Sequence, residues 1–272
     1  MRPDSLHEDA DFLHRDTMRT VYPELDLDLS WQPVASATPE AFTPAQIEEY
    51  NERGYVSGVP LFKGDRLRQV QQFFEDAKGR LTGLNPFTSL HHEIPELYDF
   101  VTWERTASYL RDLLGPNVIC HVSQYNRKET ETDSKRSTIA HQDATFNPMH
   151  ARCAIVWVAI DRAFVENGCM WFFPGTHKLG VVECLANHHI EDEDQYGESV
   201  PIELEPGQAV IFSDLLIHTS PPNRSHDTVR GGFTATYAPA ELVPTLGRKQ
   251  WAVLCCGEET GGHWNVHPRP DG

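Results

Sequence analysis

Two side chains able to bind a metal stand two positions apart in the stretch Ser137-Thr-Ile-Ala-His-Gln-Asp-Ala-Thr-Phe146. In an extended segment residues i and i+2 point to one face, so the His141 imidazole and the Asp143 carboxylate can reach one small object, for which a metal ion is the sharpest candidate. With 14 histidines in the chain, a plain His141–Asp143 hydrogen bond on a wet loop is the leading explanation of the triplet until a third ligand is found. His218 supplies one. It follows the apolar run of GQAVIFSDLLIH and precedes a Pro-Pro break, a natural strand end at a cavity mouth. Two histidines and one carboxylate on one side of a metal form the facial triad of non-haem Fe(II) oxygenases, with the other positions open to cosubstrate and dioxygen. A zinc hydrolase with the same ligands is the chemical competitor, but it wants a placed general base such as the Glu of HExxH, and that signature is absent.

Arg230 favours the oxygenase. It lies 12 residues beyond His218, on what reads as the next antiparallel strand, where it can pair bidentately with a carboxylate held at the metal. Iron with a carboxylate-clamping arginine implies a 2-oxo acid. Arg224 is the rival, but it sits in the Pro-Pro-Asn turn, where a solvent-facing side chain is the default.

These residues need a scaffold. A chain of 272 residues with 39% hydrophobic and 23% charged residues can bury a sizeable core and reads as one globular domain with additions. Residues 1–42, acidic and proline-interrupted, read as an N-terminal extension that wraps the domain or stays mobile, ahead of a catalytic domain over 43–272. Thr43-Pro-Ala-Gln46 has the form of a capping box with Pro at the first helical position, so a helix runs from about 44 to 53 and stops at Gly54. GYVSGVPLF follows as a short strand. Helical spacing of Leu67, Val70, Phe73, Phe74, Ala77 and Leu81 predicts a second helix over 64–81, and another spans 96–114 up to Gly115-Pro116. Beyond residue 116 short β-rich runs, at about 117–125, 152–160, 169–173, 208–213 and 231–238, predict an antiparallel sandwich or barrel. The acidic run Glu191-Asp-Glu-Asp194 reads as a solvated loop.

The formal charge of −17, from 23 basic against 40 acidic residues, repels polyphosphates at long range, so no nucleic-acid partner is expected. Six cysteines without CxxC spacing, mostly in apolar runs, suit buried thiols in a reducing compartment. No apolar run approaches the ~20 residues that cross a bilayer. The expectation is a cytoplasmic protein with no membrane association, acting on a small molecule.

From TPAQIEEYNERGYVSGVPLF through HQD and IVWVAIDRAFVENGCMWFFPGTHKLG to LEPGQAVIFSDLLIHTSPPNRSHDTVRGGFTATY, about Thr43 to Tyr237, the chain resembles the phytanoyl-CoA dioxygenase family of Fe(II)/2-oxoglutarate oxygenases. The resemblance implies a double-stranded β-helix, the cupin-like jelly roll, mainly β with flanking helices. It implies iron held by His141, Asp143 and His218, and 2-oxoglutarate held at its distal carboxylate by Arg230, with Ser220 as a second donor to that carboxylate. It further implies Gln124 and Asn126 near the cosubstrate, although solvent-side strand positions explain them equally well. The reaction it implies consumes O2 and 2-oxoglutarate, releases succinate and CO2, and hydroxylates a C–H bond, with desaturation and ring formation open to the same oxidant. Asp143 speaks against halogenation, since halogenating relatives carry a small residue there. Phe146, close behind the HxD, and Trp171 are the candidates for the substrate wall, although tryptophans in apolar strands, Trp157 and Trp171 alike, are more often core. PGTH reads as a turn in which His177 stabilises the loop, and His121, His150, His188 and His189 as structural or exposed. A jelly roll that binds a metal and senses a small molecule without turnover is the reading from another class; it has no need of Arg230.

Overall fold

The computed structural model describes residues 12–13, 29–35, 38–81, 89–130, 137–146, 152–185, 188–244 and 250–271. Helices come first. Helix α1 (Pro44–Arg53) starts on the capping box: Gln46 N–H donates to Thr43 Oγ1 at 3.3 Å and Thr43 N–H to Gln46 Oε1 at 2.9 Å. It ends at Gly54, whose φ of +86° few other residues adopt. Helix α2 (Gly64–Leu81) buries Val70, Phe74, Ala77 and Leu81, the predicted stripe. The helix expected over 96–114 is two, α3 (Pro95–Val101) and α4 (Glu104–Leu114). The break falls at Thr102, which returns its hydroxyl to the Tyr98 carbonyl, and at Trp103, whose ring packs 6.0 Å from that of Phe62 under the Arg66 guanidinium. Tertiary packing of one aromatic residue outweighs local helix propensity here.

Seven strands form a large sheet, β2 (Tyr55–Pro60), β3 (Val118–Lys128), β5 (Ala154–Ala159), β9 (Gln208–Ser213), β11 (Arg230–Pro239), β12 (Gln250–Cys256) and β13 (Trp264–Val266), and four a small one, β4 (Thr138–His141), β6 (Met170–Phe172), β8 (Val200–Ile202) and β10 (His218–Ser220). The large sheet runs in the order β13-β12-β3-β11-β5-β9-β2 and the small sheet in the order β4-β10-β6-β8. The two-residue strands β1 (Phe12–Leu13) and β7 (Cys184–Leu185) pair separately. All pairs are antiparallel except β12 with β13, so the large sheet is mixed. Strand β5 shows why the layers stack. Ala154, Val156 and Val158 join the core shared with α1 to α4, while Ile155, Trp157 and Ala159 join a second core with Met170, Phe172 and Ile202 of the small sheet. A strand buried on both faces reads as a continuous apolar run, as AIVWVA does. The fold is a mainly β jelly roll with helices on its outer face.

The N-terminal segment is part of this packing. Leu29, 1% exposed, shares a cluster with Ala144, Val181 and Leu215, and Trp31 meets the His177 ring edge-on at 4.6 Å. Residues 40–42 are fixed by buried Asp112, whose carboxylate accepts the N–H groups of Glu40, Ala41 and Phe42 at 2.7 to 2.9 Å. None of the described helices is long and apolar enough to cross a membrane.

Candidate active site

The small sheet brings the three sequence-predicted metal ligands together. Strands β4 and β10 pair so that His141 and His218 are direct cross-strand partners, their ring centroids 4.2 Å apart. Asp143 opens a short 3-10 turn (Asp143–Thr145) just after β4. Its Oδ1 lies 3.4 Å from His141 Nε2 and its Oδ2 3.8 Å from His218 Nε2, with one donor atom of each residue within 4.8 Å of the others. Both Nδ1 atoms sit on backbone carbonyls, Ile139 at 2.8 Å and Leu216 at 3.0 Å. Nδ1–H therefore donates outward and the Nε2 lone pairs face the shared point, the second-shell arrangement that prepares histidine for a metal. Gln142, fully buried between the two ligands of the HxD, donates to the carbonyls of Gly180 and Leu215 and accepts from Val182 N–H, so the triplet is a rigid shelf.

Electrostatics agree. Burial works against protonation of His141, but the Asp143 carboxylate outweighs it and holds the imidazole above its ordinary value. Burial and the neighbouring His141 push His218 down to about 4. Burial disfavours the Asp143 anion, yet the two imidazoles keep its pKa low. One carboxylate cannot satisfy two imidazoles, and a divalent ion facing all three resolves the conflict. Borderline nitrogen donors with one carboxylate, all on one side, fit Fe(II).

A cavity of about 560 Å³ opens on the triad and is lined by Gln124, Asn126, Lys128, Trp157, Ser220 and Arg230 among others. Arg230, 3% exposed, lies 5.3 Å over the Trp157 ring and donates from Nη2 to Ser220 Oγ at 3.2 Å. Its Nε is buried with no partner. Arg224 is exposed in its turn. Gln124 and Asn126 are on the cavity side of β3, with Asn126 Nδ2 donating to Thr234 Oγ1 at 3.3 Å. Ser220 donates its proton to the Gly168 carbonyl at 3.1 Å and accepts from the Arg230 guanidinium.

The aromatic expectations change places. Trp157 lines the cavity; Trp171 does not, because β6 alternates and Met170 and Phe172 take the inner face. Phe146 is not among the cavity-lining residues either; its ring stands edge-on to His141 at 5.5 Å and 4.3 Å from His188. His177 is fully buried, 3.2 Å from the Asn51 carbonyl, a loop anchor as read from PGTH. His121 packs near Trp264, His188 and His189 are half-buried, and His150 lies outside the described residues. Sequence reasoning missed Lys128. From Gln124 and Asn126, one more step of the same period-two alternation reaches it.

The chain matches the family described as Phytanoyl-CoA dioxygenase (PhyH) over residues 36–232. It is 27% identical over 231 residues to a methylphosphonate hydroxylase of Gimesia maris, covering 82% of this chain and 84% of that one. It is 31% identical over 147 residues to peroxisomal phytanoyl-CoA dioxygenase of Bos taurus, covering 49% of this chain and 43% of the bovine enzyme, less than half of that relative's length. Its backbone follows EctD from S. alaskensis, solved with 2-oxoglutarate and 5-hydroxyectoine, at a TM-score of 0.70 and 18% identity over 90% of this chain and 95% of that one. With the family match spanning most of the chain and the three metal donors converged in the jelly roll, the protein belongs to the phytanoyl-CoA dioxygenase family of Fe(II)/2-oxoglutarate-dependent oxygenases.

Proposed function

We propose that the protein hydroxylates an unactivated C–H bond of a small molecule with Fe(II), 2-oxoglutarate and O2, releasing succinate and CO2. The observation that carries this reading is a buried guanidinium, Arg230, in the same cavity as the three-donor cluster, with its buried Nε–H lacking a partner. A buried cation with an unspent donor is costly unless an anion arrives, and a dicarboxylate reaching from the metal to Arg230 supplies one. Iron bound with 2-oxoglutarate contributes the oxidising chemistry, which protein side chains lack.

The chain's own residues do the rest. His141, Asp143 and His218 hold the metal on one side. Arg230 fixes the far carboxylate, on the floor formed by Trp157 and beside Ser220. Gln124 and Asn126 present polar groups alongside the cosubstrate. Phe146 stands edge-on to the His141 ring, and Trp171 packs against the core beneath the small sheet. The similarity to a methylphosphonate hydroxylase supports a small anionic substrate.

The test is a panel of small molecules, short alkylphosphonates and carboxylates first, screened for stimulated succinate release, with Asp143→Ala as the inactive control. The reading predicts succinate only when Fe(II), 2-oxoglutarate and air are all present. Metal binding with no succinate under any condition, even uncoupled, overturns it in favour of a sensor. Turnover without oxygen overturns it in favour of a hydrolase.

A further inference from the structure

Ser220 Oγ is a crossing point in the cavity floor. Lys128 Nζ lies 2.6 Å from it and Arg230 Nη2 3.2 Å. Neither cation can accept a hydrogen bond, so the serine oxygen accepts from both, which is why its proton goes to Gly168. Lys128 also donates to the Ser220 carbonyl at 3.0 Å and to the Pro221 carbonyl. One buried ammonium thus grips side chain and backbone at the end of β10, the three-residue strand whose other end is His218. Lys128 and Arg230 are themselves cross-strand partners of β3 and β11. The opposite wall of this knot is built to fit: Gly168 has φ of +78°, and a Cβ there would stand 2.4 Å from the Pro221 carbonyl oxygen. Asn167, fully buried, holds that turn by donating to the Arg162 carbonyl at 2.8 Å and accepting from Phe164 N–H at 2.8 Å.

We infer that Lys128 is a positioning residue of the cosubstrate site: its ammonium holds Ser220 as the acceptor that aims the Arg230 guanidinium, so discrimination for a dicarboxylate depends on Lys128 although Arg230 makes the contact. The inference rests on Arg230 as the diacid clamp. A lysine that served only the fold would support both ends of a bound 2-oxo acid alike. A lysine that aims Arg230 matters only to a ligand with a second carboxylate.

The experiment uses the full chain loaded with Mn(II) under nitrogen and calorimetric titration with 2-oxoglutarate and with 2-oxopentanoate, which has the same carbon chain and no second carboxylate. Wild type binds the diacid more tightly. Lys128→Met keeps side-chain length and removes charge and donors; it is expected to lose about 10-fold or more in diacid affinity, while 2-oxopentanoate and Mn(II) affinities stay within about threefold. In a Ser220→Ala background the same substitution costs little further, because both act through one hydroxyl. Should Lys128→Met fail to fold, Lys128→Arg, which keeps charge and donors but changes their reach, is expected to weaken the diacid alone by several-fold. Equal losses for both acids, strictly additive losses with Ser220→Ala, or unchanged diacid affinity in the folded variants overturns the inference while leaving the role of Arg230 standing. A wild type indifferent to the second carboxylate overturns the diacid clamp and this inference with it.

Discussion

Replacing Arg230 by Met separates what the guanidinium does for the fold from what it does for a ligand. Its gains for the fold are one hydrogen bond to Ser220 and a cation–π contact with Trp157, about 1 kcal/mol each. Against these stands the desolvation of a charge, an effective several kcal/mol. Burial pushes its pKa down to about 10, still far enough above neutrality to keep the cation. Met retains the apolar stem over Trp157. The unfolding free energy of the variant should therefore lie within about 1 kcal/mol of wild type, or above it. A bidentate pair with a bound carboxylate is worth two charge-assisted hydrogen bonds, about 3–5 kcal/mol together, so 2-oxoglutarate affinity should fall by at least about 100-fold, with metal affinity within about threefold. Denaturant unfolding measures the first quantity, and anaerobic titration of the metal-loaded protein the second and third. A variant that loses more than about 2 kcal/mol of stability while its cosubstrate affinity stays unchanged would refute the reasoning, since that is the behaviour of an arginine kept for the fold.

Three further outcomes follow from other parts of the structure. A Cβ at Gly232 would stand 2.1 Å from the Trp157 ring, so Gly232→Ala should displace the floor under Arg230 and lower 2-oxoglutarate affinity more than metal affinity; unchanged affinity for both would contradict that placement. Leu29→Ala should destabilise by about 2–4 kcal/mol, as for other buried leucines, and weaken Fe(II) binding through Ala144 beside Asp143; a change under about 0.5 kcal/mol in denaturant unfolding would show that the N-terminal segment does not support the site. Burial pushes His91 and His121 down to about 3, whereas the unfolded chain takes up these protons near pH 6.5. Stability is then full above about pH 6.5 and is lost as pH falls toward 3, by up to about 1.4 kcal/mol per unit for each histidine. His91→Gln should flatten the pH dependence of unfolding between pH 6.5 and 5, and an unaltered slope would rule out His91 as a source of it.

The elements most legible in the sequence were those whose signals are local. The capping box at Thr43 and the Gly54 stop set both ends of α1, and the stripe from Val70 to Leu81 set α2. The triad was legible because His141, Asp143 and His218 each sit at a strand end marked by its neighbours, and because the residues around them resemble one family throughout. What escaped was set by non-local contacts. Strand β10 is three residues long, too short for a period, and exists because β4 and β6 flank it. Strands β12 and β13 follow residue 240, where no alternation announces a sheet edge. The kink at Trp103 answers to Phe62 and Arg66, far off in the chain. The exchange of roles between Trp157 and Trp171 turned on strand phase, since one residue of register moves a side chain to the other face. Lys128 escaped because a lone lysine at a strand end reads as solvated, and only the fold brings Ser220 to it.

Whether His141, Asp143 and His218 hold a catalytic iron is decided by the stoichiometry of Fe(II) bound anaerobically to wild type and to His218→Ala, followed by exposure to air with 2-oxoglutarate and assay of succinate. Wild type should hold one tightly bound iron per chain and form succinate only in its presence, and the variant should lose both. Iron retained in full by His218→Ala, or succinate formed without iron, would rule out the triad as an oxygenase centre.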